Sequence, residues 1–128
     1  MNDRWIPLAY WASAVMDAVI AVAFLFFLAP VFTAAGVELP NHPGYLQFPA
    51  LLLVVFAAMY ARIAGDPRGR KDLMPYGMGL KISFVLVAFW HWTTGTLPWL
   101  WLPLAWIDLV FLIVFFIGWQ AVRKPMPA

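Results

Sequence analysis

Cysteine is absent from the 128 residues. That lack removes disulfides, thiolate nucleophiles, cysteine-ligated zinc and any quinone or vitamin K reductase chemistry run by a cysteine pair. Charge is scarce as well: Asp, Glu, Lys and Arg make up 11% of the chain, where a soluble domain carries about 25%. So little polar surface excludes a soluble fold of this size. The net charge is only +2, and the basic residues gather beside apolar segments, so charge here describes topology and nucleic acid is excluded as a partner. There is no nucleotide-binding glycine loop, zinc-protease helix, nucleophile elbow or paired aspartate-rich prenyl motif, and no internal repeat.

What is abundant is apolar: 65% of the residues, arranged as four blocks of membrane-spanning length divided by short stretches rich in proline, glycine and charge. The expected fold is all-α, a polytopic membrane protein built as a single four-transmembrane-helix bundle. The first span is expected over 6–32, with an apolar core too long for a signal peptide. The second is expected over 47–64, with Pro49 in its first turn, where a missing N–H removes no bond. The third covers 75–93, with Asp72 as N-cap and Pro75 in the first turn, and ends at Thr94-Gly95-Thr96. The fourth covers 98–122 and is expected to bend at Pro103, which leaves the Trp99 carbonyl without its helical donor.

Orientation follows from lysine and arginine, because positively charged loops resist export. Arg4 precedes the first span, Arg68, Arg70 and Lys71 occupy the second connection, and Arg123 and Lys124 follow the last. The first and third connections hold neither lysine nor arginine. Both termini are therefore expected on the cytoplasmic side of an inner, cytoplasmic membrane (N-in/C-in). Trp90, Trp92, Trp99 and Trp101 gather at the outer turn, and Trp5, Trp11 and Trp119 toward the inner ends, an arrangement that an interfacial anchoring belt explains.

Three ionisable residues lie inside spans, where a charge is costly unless paired: Asp17, Lys81 and Asp108. Around Asp17, helical spacing places Tyr10, Ser13, Ala14 and Ala21 on one face; around Lys81 it places Gly77, Met78, Phe84, Val85 and Ala88. These narrow faces suit close helix contact, and the three charges are expected to form one cluster between the first, third and fourth spans. Two acids and one base leave a deficit of one positive charge. A protonated carboxyl group, Arg62 or a bound cation would complete the balance. The cluster is open to two readings, a device that fixes helix packing or a functional site.

Tyr76, Gly77 and Gly79 lie just before Lys81, and the glycines let a lipid headgroup, a quinone ring or a neighbouring helix approach the backbone closely. Glu38, His42 and His91 are the only residues with which an outward metal site could be built, and they carry no ligand-spacing motif, so no metal is expected.

Four spans in about this length, a charged inner loop and an acid in the last helix, within Ala105-Trp106-Ile107-Asp108-Leu109-Val110-Phe111, resemble the DoxX-like group of small bacterial membrane proteins. The resemblance covers the chain by architecture. The glycine-rich first helix ending in Gly-x-x-Lys, typical of that group, is missing, so no functional residue carries over. What the resemblance implies is a four-helix subunit linked to respiratory or redox membrane complexes.

The expected function is an accessory or scaffold subunit of a larger membrane complex, in contact with lipid or quinone, with the bilayer, other membrane subunits or a second copy as partners. It would have no chemistry and no cofactor of its own. A proton-coupled small-molecule transporter using Asp17 is the first alternative, opposed by Lys81, which would neutralise that acid. A membrane-embedded enzyme with Asp17 and Asp108 as an acid–base pair is the second.

Overall fold

Apolar runs of this length cannot leave backbone groups unpaired in a bilayer, and helices satisfy them within the segment. The computed structural model describes residues 3–125. Its helices are α1 (Trp5–Phe26), α2 (Leu28–Ala35), α3 (Gly44–Gly65), α4 (Met74–Thr93) and α5 (Trp101–Arg123), with a single 3-10 turn, Lys71–Leu73, leading into α4. The described residues contain no strand. The helices α1, α3, α4 with its leading turn, and α5 are each long and apolar enough to cross a membrane. At about 1.5 Å per residue, each is at least as long as a hydrocarbon core of about 30 Å.

Prolines account for most departures from the expected boundaries. The first span is not one helix over 6–32, because the chain breaks at Phe27, whose φ of −129° and ψ of 27° lie outside the helical region. Pro30 has no N–H for the Phe26 carbonyl and its ring would strike that carbonyl, so α1 stops and α2 restarts with Pro30 in its first turn. Gly36, at φ 69°, then ends α2, and the Val37 N–H donates to the Phe32 carbonyl at 3.0 Å.

Pro49 lies inside α3, not in its first turn, because the helix starts at Gly44; the bond to the Tyr45 carbonyl is therefore lost. Asp72 does not cap α4: it lies in the 3-10 turn, and the cap residue, Leu73, makes no side-chain capping bond. The bend expected at Pro103 has no cause, since α5 begins at Trp101 and Pro103 sits where an N–H would have had no helical partner. The Trp99 carbonyl accepts from the Leu102 N–H at 3.1 Å.

The helices associate as two antiparallel pairs, α1 on α3 and α4 on α5, and the pairs meet chiefly along α1 and α5. Toward the beginning of α1 the junction is solid. Ile6, Tyr10, Tyr60, Ile63, Met74 and Phe115 are all at most 1% exposed there, and Tyr10 stacks on Phe115 with ring centroids 4.0 Å apart. Arg68 draws this end together: its guanidinium donates to the carbonyls of Val122 and Lys124, both at 3.3 Å, and lies 3.6 Å from the Asp3 carboxylate. The other end holds a smaller core of Ala21, Phe24, Phe32 and Ala50. The Trp99 indole N–H donates to the Ala35 carbonyl at 2.7 Å there, tying α2 to the connection before α5. The outward faces carry Val15, Val19, Val55, Leu86 and Val110, each more than half exposed, a surface suited to lipid.

Candidate functional site

The Tyr10–Phe115 stack sets the level of the charged residues. Asp17 is seven residues beyond Tyr10 on α1, and Asp108 is seven residues before Phe115 on the antiparallel α5. Both carboxyl groups therefore lie about two helical turns, or roughly 10 Å, beyond the stack and at one level.

Lys81 comes from α4 and is 1% exposed. Its Nζ donates to Oδ1 of Asp108 at 3.0 Å. The ammonium also lies 4.9 to 5.5 Å from the ring centroids of Tyr60, Phe111 and Phe115, within the range of a cation–π attraction. Gly77 shapes this cage from below, one helical turn before Lys81. The Tyr60 hydroxyl donates to the Gly77 carbonyl at 2.8 Å, and a Cβ at residue 77 would lie 2.6 Å from Cε1 of Tyr60. A side chain there would displace the ring that faces the lysine.

Asp17 is 3% exposed, with Lys81 and Asp108 as charged neighbours. No cation reaches ion-pair distance of it among the described residues, and its Oδ2 has no hydrogen-bond partner there. The same is true of the buried hydroxyls of Ser13 and Tyr10, one and two turns earlier on the same face of α1. The three charges are thus neighbours, but the lysine is committed to Asp108.

Above this level the two helix pairs separate around a cavity of about 840 Å³, within the size range of small-molecule sites. Asp17 and Asp108 lie at one end and His91 and Thr96 at the other, while Ile20, Phe24, Leu53, Phe84 and Trp101 make apolar walls. The cavity is thus polar at both ends and apolar in the middle. Of the two acids at this end, Asp108 is paired with Lys81 and Asp17 is not.

Other expected participants are elsewhere. Arg62 is exposed on α3, outside the cavity lining, and does not complete the charge balance, because helical spacing turns it away from the buried Tyr60, Ile63 and Ala64. Tyr76 is 70% exposed and stands away from the cluster that its neighbour Gly77 supports. Glu38, His42 and His91 do not converge: no group of three such ligands forms among the described residues. His42 Nδ1 accepts from the Gly44 N–H at 3.0 Å, and His91 Nδ1 lies 3.2 Å from the Thr96 hydroxyl.

The sequence reading missed Tyr60, Phe111 and Phe115 as the lysine's aromatic surroundings. Their spacing was visible, since Phe111 and Phe115 are four apart on one helical face, yet nothing local distinguishes them from lipid-facing rings. Comparison with protein-family models, with curated proteins and with solved structures finds no match to this chain.

Proposed function

We propose that this chain is an inner-membrane protein of four spans bundled as two pairs, with both ends cytoplasmic. In this reading it serves as an accessory subunit that holds an apolar, membrane-borne ligand. The orientation rests on Arg4, Arg68, Arg70, Lys71, Arg123 and Lys124, which all lie at the end of the molecule where α1 begins and α5 ends. The ligand role rests on one observation: a cavity of about 840 Å³ between the helix pairs, apolar along its length and charged at one end. Attachment to a respiratory or redox complex is what the DoxX-like resemblance adds. Mild purification of the native protein, followed by mass spectrometry, tests both parts. The expected result is a stoichiometric ligand that the cavity-filling variant Ala88→Phe no longer retains, together with partner subunits. Recovery of the chain alone, with nothing bound, would overturn the reading.

One observation favours proton-coupled transport as a second reading. Lys81 pairs with Asp108 at 3.0 Å, so Asp17 is not neutralised by it and stands at the cavity as the acid such transport needs. Reconstituted vesicles would show ligand-driven proton movement, lost in Asp17→Asn; vesicles with no such movement would remove transport and leave the accessory role.

A further inference from the structure

The unbalanced charge at the cavity's inner end narrows the ligand. The spans hold two carboxylates, one buried and one half-buried, and one buried ammonium, and the ammonium is occupied by Asp108 and three aromatic rings. The basic residue expected to supply the balance, Arg62, is exposed and absent from the cavity lining. Asp17 is nevertheless 3% exposed, lines the cavity and has an oxygen without a partner. A buried carboxyl group left so is costly, and a cationic donor is the group that relieves it best.

We propose that the cavity takes a lipophilic cation, an apolar body bearing one protonated amine head, bound with the head at Asp17. The proposal rests on the ligand-holding reading above and names the ligand's chemistry. A phosphate or carboxylate head would bring negative charge beside two carboxylates, which disfavours phospholipids and fatty acids with their heads at this end. A quinone offers carbonyl acceptors to a carboxylate that is itself an acceptor. An ammonium reverses both objections. From Asp17 to Phe24 is seven residues of α1, roughly 10 Å, and over that distance the body would lie against Ile20, Phe24, Phe84 and Trp101.

The full chain in phosphatidylcholine nanodiscs is titrated calorimetrically at neutral pH with dodecylammonium, dodecanol and dodecyl phosphate, and partitioning into empty nanodiscs is subtracted. The three probes share one apolar chain and differ in the charge of the head. The expected order is cation, alcohol, phosphate, with the cation preferred over the alcohol about tenfold or more. Asp17→Asn should bring the cation to the alcohol's level and leave the alcohol unchanged, and Asp17→Glu should keep the preference. Equal binding of cation and alcohol to the unaltered chain would overturn the cationic head and leave a ligand-holding cavity standing. Binding of neither would overturn both. The comparison of probes on the unaltered chain decides the matter even if Asp17→Asn fails to fold.

Discussion

Cut across its helices at the level of Asp17, the molecule has one solid half and one hollow half. In the solid half the space between the helix pairs is filled by rings, Tyr10 stacked on Phe115 at 4.0 Å with Tyr60 tilted against both. In the hollow half the buried residues include Ala21, Ala50, Ala88 and Ala105, each at most 2% exposed, and the rings that meet across the pairs, Phe24 and Phe32 on Trp101, do so only about two turns beyond Asp17. Small residues let helix backbones approach, and Ala21 and Ala50 lie in one core across α1 and α3. They tighten a pair without filling the gap between pairs. The same helices therefore make a core where stacked rings fill the space between the pairs and a cavity where they do not, and the ion pair of Lys81 with Asp108 marks the boundary.

The comparison breaks most severely at that boundary. Lys81→Met would leave the Asp108 carboxylate without its cation, and unfolding in mild detergent should show a loss of about 3–5 kcal/mol. The double variant Lys81→Met/Asp108→Leu should recover a large part of it; a double variant as unstable as the single one would argue that the lysine acts through its rings and not through the acid. Next in size, Ala14→Leu in the solid half should cost about 1–3 kcal/mol by overpacking. Ala88→Leu, its counterpart lining the cavity, has empty space for the added methylenes and should cost less than Ala14→Leu while reducing ligand capacity. Equal costs at the two sites would mean that the cavity is not open in the folded protein. The smallest effect expected is that of Tyr60→Phe, which removes the 2.8 Å bond to the Gly77 carbonyl and should lower stability by about 1 kcal/mol. Its ring remains, so the surroundings of Lys81 and ligand binding should persist.

Much of this architecture was legible along the chain. Tyr10, Ser13, Ala14 and Ala21, read as one face with Asp17, are all buried, as are Gly77, Met78, Val85 and Ala88 beside Lys81, while Phe84 of that face is half-buried. Helical spacing is a local property, and it carried these assignments. The break at Phe27 was also written locally, in Pro30, but the length of the apolar run concealed it. Arg62 and Tyr76 were misplaced because sequence proximity to a buried charge does not establish which way a helical side chain faces.

The sequence by itself determined that the chain forms apolar helices of membrane-crossing length, and at what depth along them two acids and one base lie. Length, hydropathy and helical rise are additive along a chain and need no knowledge of neighbours. Only the tertiary structure decided that Lys81 goes to Asp108 and not to Asp17, that Tyr60, Phe111 and Phe115 surround it, and that a cavity opens above. Those outcomes depend on how two helix pairs meet, where a residue's partner is chosen by packing between segments distant in sequence.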